Sequence, residues 1–229
     1  FSTKSARKKL TIFFSDIIGF TTISEQMEAE DLSNFLNFYL TNMCDIALRY
    51  GGTIDKFIGD SLMIFFGDPE TKGAKEDAAA CCNMAMEMLA FLESNQQHFQ
   101  ETYNFPEKLE VRVGIHNGLC NVGNFGSAQR LDYTAIGRAV NVASRLEQAA
   151  PKNSILVSST VRNLIKNKFE TSSPIEVKAK GIDKPIASYV LTKITSESKK
   201  VTKEIDGFKL EYDPQKIDRE TLLKIIEEL

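Results

Sequence analysis

Phe13-Phe14-Ser15-Asp16-Ile17-Ile18-Gly19-Phe20-Thr21 sets a carboxylate at the end of an apolar run, then opens a helix with a glycine and a threonine. The run from Leu10 to Asp16 reads as a strand. Behind it a long helix is predicted from about Ile23 to Tyr50, where Leu32, Phe35, Leu36, Tyr39, Leu40 and Met43 recur at steps of three and four. Gly51-Gly52 stops it. A second carboxylate answers the first in Lys56-Phe57-Ile58-Gly59-Asp60-Ser61-Leu62-Met63-Ile64. There Gly59-Asp60 suits a tight two-residue turn between strands Thr53 to Ile58 and Ser61 to Phe66. Two carboxylates on strand ends beside a glycine-containing helix start suit a divalent metal and a polyphosphate. Mg²⁺ takes oxygen ligands, usually one or two carboxylates completed by phosphates and water.

The alternation continues downstream. A second long helix is predicted from about Lys75 to Phe99, then strands at Glu110 to His116 and Leu119 to Asn124 joined by an Asn117-Gly118 turn. Arg138 to Ala149 reads as a helix, Ser154 to Val157 as a strand and Ser159 to Lys166 as a helix. Phe169 to Thr171, Ile175 to Val177 and Ile186 to Leu191 read as closing strands. Hairpins mixed with long helices point to an α+β sandwich, with helices packed on a mostly antiparallel sheet. Residues 1–9 are basic and polar and read as a linker from an upstream region. The domain proper is expected over 10–194. Residues 195–229 read as a linker and extension holding a strand at Phe208 to Tyr212 and a helix capped at Asp218.

Composition narrows the classes. A chain of 229 residues with 42% hydrophobic side chains has the material for one sizeable core. A net charge of −3 argues against a nucleic-acid partner held by bulk charge. No apolar run approaches the roughly eighteen residues needed to span a bilayer, and no signal-peptide pattern occurs. Because the chain starts at Phe1, it is expected to be cut from something longer, with an upstream regulatory region missing. Of its four cysteines, Cys44, Cys81 and Cys82 lie on helix-like segments, as small hydrophobes do, and with Cys120 they form no Cys-x-x-Cys pair. Reduced thiols and a cytoplasmic location are expected, a compartment that suits ATP or GTP as substrate.

Singly, each candidate residue has a duller explanation. Asp60 fits ordinary turn chemistry and Asp16 a helix cap. Gly19, Phe20 and Thr21 would present backbone N–H groups to an anion at a helix start, yet a glycine before a helix is commonplace, and no Walker A loop occurs. Lys56 sits in an apolar strand, either snorkelling to solvent or aimed as a donor at a base or phosphate. Asn141 and Arg145, four apart, share one helix face, which is either solvated or set to stabilise charge on a phosphoryl group; Val140, Ala143 and Leu146 can face the core. Arg112 is a further cation inside an apolar strand. His116 reads as structural, with no second histidine nearby to make a metal site; the other is His98.

Together the motifs resemble the class III nucleotidyl cyclases, the catalytic domains of adenylate and guanylate cyclases. The matching stretches are Phe14-Ser15-Asp16-Ile17-x-Gly19-Phe20-Thr21, Lys56-Phe57-Ile58-Gly59-Asp60-Ser61-x-Met63, Arg112-Val113-Gly114-Ile115-His116-x-Gly118 and Tyr133-Thr134-x-Ile136-Gly137-x-x-Val140-Asn141-x-Ala143-Ser144-Arg145-Leu146. Val177-Lys178-Ala179-Lys180-Gly181 with Pro185 and Tyr189 looks like the closing strands. The resemblance runs in order from Leu10 to Leu191. It implies a ferredoxin-like core with additions, working as a head-to-tail homodimer with active sites at the interface. By that pattern Asp16, Asp60 and the Ile17 carbonyl would hold two Mg²⁺ ions per site, with Mn²⁺ able to substitute. The loop Ile17, Gly19, Phe20 and Thr21 would bind the outer phosphates together with Arg112, and Lys178 is a further candidate there. From the partner chain Lys56 and Thr134 would read the purine, Asn141 would position the ribose and Arg145 would stabilise the transition state.

Base choice follows from complementarity. Adenine accepts at N1 and donates at N6, so a lysine and a threonine hydroxyl suit it, whereas guanine reverses both. The family's guanylate members typically carry Glu and Cys at these two positions, so Lys56 and Thr134 favour ATP and imply an adenylate cyclase. A threonine hydroxyl also donates, which leaves room for GTP. A guanylate cyclase, or an inactive cyclase-like module kept for dimerisation or nucleotide sensing, are the alternatives. Arg138 departs from the family's common Asp and is given no role.

Overall fold

The computed structural model describes residues 5–127, 129–177, 185–194, 201–205 and 208–212. The chain divides near residue 194 into two compact units. In chain order the first holds β1 (Ser5–Ile17), α1 (Phe20–Gln26), α2 (Ala29–Arg49), β2 (Thr53–Ile58), β3 (Ser61–Phe66), α3 (Ala74–Ser94), α4 (Gln96–Tyr103), β4 (Val111–Gly126), β5 (Leu131–Ile136), α5 (Arg138–Ala149), β6 (Ser154–Ser158), α6 (Ser159–Ile165), β7 (Phe169–Thr171), β8 (Ile175–Val177) and β9 (Ile186–Ile194). The second holds an antiparallel hairpin of β10 (Val201–Ile205) and β11 (Phe208–Tyr212).

Nine strands form one sheet in the order β2-β3-β1-β4-β6-β9-β7, with β5 on β4 and β8 on β9. The first four strands follow the β2-β3-β1-β4 order of a ferredoxin-like core. The β1–β3, β1–β4, β2–β3, β4–β5, β6–β9 and β8–β9 ladders are antiparallel, and β4 with β6 is parallel. From Leu10 to Phe14, β1 is apolar but for the buried Thr11, because both of its faces are covered there. Phe13 and Ile17 pack with Phe35, Tyr39, Met84 and Phe99 of the α2, α3 and α4 layer. Leu10, Ile12 and Phe14 meet Phe65, Val122, Ala139 and Ala143 on the α5 side.

Several predicted boundaries move. The Asn117-Gly118 hairpin does not form: β4 runs straight through it, paired with β1 from Ser5↔Gly123 to Ile17↔Val111. Asn117 is buried and donates to Thr11 Oγ1 at 2.9 Å, while a Cβ at Gly118 would stand 2.8 Å from Ala139 Cβ. A turn signal is local, and thirteen residues of pairing override it. The same ladder recruits residues 5–9, so part of the predicted linker is strand. The two long helices are each broken, at Glu28, which is extended, and at Asn95, whose side chain donates back to the Phe91 carbonyl. β5 and β10 have no sequence-based counterpart. The helix predicted from Asp218 lies outside the described residues.

Candidate active site

Asp16 and Asp60 are brought together by the β1–β3 pairing. Ser15 lies opposite Leu62, so the turn that follows β2 delivers Asp60 beside the end of β1. Gly59 takes φ +64, the conformation a glycine-first hairpin turn requires. Asp60 accepts from the Ile17 N–H at 2.8 Å, and Asp16 accepts from the Ser61 hydroxyl. Asp60 is buried, and burial together with the Asp16 charge pushes its carboxyl above the usual range. Two apposed carboxylates of this kind fit a cation.

Arg112 lies directly opposite Asp16 in the β1–β4 ladder, 3.3 Å from its Oδ2. It also stands 3.4 Å from Glu147 of α5 and donates to the Gln148 carbonyl. Its Nε and Glu147 Oε1 make no hydrogen bond, so that contact is Coulombic. Glu147 is buried and pushed up to about 7, by burial first and then by Asp16, with Arg112 opposing. Sequence reasoning missed Glu147, although it falls four residues after the buried Ala143 and so on the same helix face. Gly114 makes this approach feasible, since a Cβ there would lie 2.1 Å from the Glu147 nitrogen.

Gly19 caps α1 at φ +72, and the first-turn N–H groups of Phe20 and Thr21 have no partner within the helix. His116 contacts Ser158 Oγ through Nδ1 at 2.8 Å, and burial, then Arg138, holds it down at about 4. All four cysteines are free thiols.

Lys56 and Thr134 form a second group, joined through a residue the sequence reading passed over. The Asp55 side chain is fully buried and lies 3.2 Å from Lys56 Nζ. It accepts the Thr134 hydroxyl at 2.7 and 2.8 Å and the Ala135 N–H at 3.0 Å. Its only sequence signal is a carboxylate beside a lysine in an apolar strand. Asn141 and Arg145 are exposed on α5, with Arg145 donating to Gln148. Among the described residues no hydrogen bond or ion pair joins Lys56, Thr134, Asn141 or Arg145 to Asp16, Asp60 or Arg112. Lys178 lies outside the described residues.

Residues 3–193 match the family described as the adenylate and guanylate cyclase catalytic domain. The chain belongs to that family. This cyclase domain is 35% identical over 190 residues to an adenylate cyclase of Anabaena cylindrica, a match covering 81% of the chain and 37% of the relative. It is also 34% identical over 198 residues to the receptor-type guanylate cyclase gcy-23 of Caenorhabditis elegans, covering 82% and 17%. The chain thus spans well under half the length of these relatives. In structure the domain resembles the adenylyl cyclase CyaB from P. aeruginosa, with a TM-score of 0.81, 46% identity, and 85% of this chain and 98% of that one covered. No helix among the described residues is long and apolar enough to cross a membrane.

Proposed function

We propose that this cyclase domain converts ATP to 3′,5′-cyclic AMP and pyrophosphate at sites shared between two copies of the chain. The observation that carries the base choice is the pairing of Lys56 with Thr134 around Asp55. The lysine donates to adenine N1 and the threonine oxygen accepts from N6. The need for two copies is supported by the lack, among the described residues, of any hydrogen bond or ion pair joining the carboxylate group to the base-reading group within one chain. It is supported again by exposed apolar side chains beside the latter, Phe57, Ile58, Tyr133 and Ile136, which suit burial against a second copy.

In this reading the ribose 3′-oxygen attacks the α-phosphorus, its proton passes to solvent, and the bond to the pyrophosphate oxygen breaks. Asp16, Asp60 and the Ile17 carbonyl would hold two divalent ions, Mg²⁺ or Mn²⁺, which when bound supply charge neutralisation at the phosphates. The first-turn N–H groups of Phe20 and Thr21, with Gly19 giving close access, receive the outer phosphates. Arg112 adds a cation at that end, already oriented by Asp16, and Lys178 is assigned there as well. Asn141 of the second copy positions the ribose, and Arg145 stabilises the charge that builds on the transferring phosphoryl group.

Product analysis tests the proposal. Purified protein is incubated with ATP or GTP and Mg²⁺ or Mn²⁺, with Asp16→Ala as control. Cyclic AMP from ATP, lost in the variant, is the expected result. Cyclic GMP as the main product overturns the base assignment, and no product from a folded, dimeric protein overturns the enzymatic reading.

A further inference from the structure

β2 steps out of register with β3 at Asp55. Ile54 faces Ile64 and Lys56 faces Met63, so two steps along β2 match one along β3. Strict alternation would send neighbouring side chains to opposite faces. The extra residue relaxes that rule and leaves the Asp55 carboxylate and the Lys56 ammonium 3.2 Å apart. It also turns Asp55 toward β5, where Thr134 and Ala135 donate to it.

A threonine hydroxyl has one proton and two lone pairs, and by itself serves either as donor or as acceptor. An ionised carboxylate only accepts. With its proton committed to Asp55, Thr134 has only lone pairs left for a nucleobase. Lys56 reads the N1 edge but does not settle the choice at C6, because its flexible ammonium, set to donate to adenine N1, can swing to guanine O6. Rejection of guanine therefore has to come from an acceptor set against that carbonyl.

We propose that Asp55 is a positioning residue for base selection: it fixes Thr134 as an obligatory acceptor and so favours a purine with an amino group at C6 over one with a carbonyl. The inference rests on the nucleotide reading given above. It removes the tolerance for GTP that a freely rotating hydroxyl would allow.

The test compares kcat/KM for ATP and GTP in wild type, Asp55→Ala, Asp55→Leu and Asp55→Asn, with folding followed by circular dichroism. In Asp55→Asn the oxygen that accepts the Ala135 N–H also accepts the Thr134 proton, so this variant should hold the ratio, and Asp55→Leu, which fills the site without an acceptor, carries the test should Asp55→Ala not fold. The expected result for Asp55→Ala or Asp55→Leu is a fall of about tenfold in the ATP-to-GTP ratio, the worth of one hydrogen bond changing sense. Adding Thr134→Ala to that variant should then change the ratio no further, because both act through one hydroxyl. Equal losses for both nucleotides in folded Asp55→Ala or Asp55→Leu overturn the inference, leaving Asp55 as a tie between β2 and β5. A wild-type protein that turns over neither nucleotide overturns the function reading, and this inference falls with it.

Discussion

Arg112 and Asp16 face each other across the β1–β4 ladder, with 3.3 Å between guanidinium and carboxylate. The same guanidinium lies 3.4 Å from Glu147, so one cation serves carboxylates arriving from a strand and from a helix. Arg112 is thus already committed within the chain before any ligand arrives.

Removing that cation should destabilise the fold. Arg112→Met leaves the buried Glu147 uncompensated beside Asp16 and Asp60, and should cost about 1–3 kcal/mol, less than a fully buried pair because the Arg112 and Asp16 side chains are partly exposed. Urea unfolding at pH 7 measures the loss. Arg112→Met with Glu147→Leu should recover much of it, since the orphaned charge is gone. A double variant no more stable than the single one would show that repulsion from Glu147 is not the cause.

Asp60→Asn should stabilise the protein while abolishing turnover. Asp60 titrates above its unfolded value, so the native state binds the extra proton, and stability falls as pH rises through the window between the two values. At pH 7 the charge is present and costly, and the amide relieves about 1 kcal/mol while its oxygen still accepts from the Ile17 N–H. Thermal melts should show a higher Tm for the variant without divalent ions. Added Mg²⁺ should raise the wild-type Tm and leave that of the variant unchanged.

Gly114→Ala should separate helix from sheet. Its Cβ would meet the Glu147 nitrogen at 2.1 Å and the Ala143 carbonyl oxygen at 2.4 Å, both backbone atoms of α5 that no rotamer change can move. A loss of about 3 kcal/mol or more is expected. Because α5 carries Asn141 and Arg145, kcat should fall even at temperatures where the variant stays folded. Wild-type kcat in a folded variant would refute the coupling.

His116 should make the fold acid-sensitive. Its folded value of about 4 lies below the unfolded 6.5, so the unfolded chain binds the proton more readily. The stability from burying the neutral ring is complete above pH 6.5 and is lost as pH falls from there toward 4. Urea midpoints at pH 7.5 and 5 should therefore diverge more in wild type than in His116→Gln. Equal divergence in the two proteins would assign the acid sensitivity elsewhere.

The sequence announces what local chemistry decides. The Gly59-Asp60 turn, α5 from Arg138 to Ala149 and the apolar β1 all follow from spacing and composition, and they hold the carboxylates and the Asn141–Arg145 face. What it hides is decided by pairing at a distance. Asn117-Gly118 looks like a turn until β1 lies along it, and Asp55 looks like a strand charge until the bulge aims it at Thr134. Glu147 was within reach, since it continues the buried face through Ala143. Its proximity to Arg112 was not, because that depends on how closely Gly114 lets α5 approach.

β4 is a ruler. Arg112, near its start, pairs with Asp16, and Gly123, eleven positions on, pairs with Thr134. Across the sheet, Asp55 bonds Thr134 and adjoins Lys56, whose partner Met63 pairs with Phe14, two positions before Asp16. The carboxylates and the base-reading pair are thus carried on one hydrogen-bonded sheet. In the proposed two-copy reading, how one such sheet aligns with the other decides how well the two groups meet.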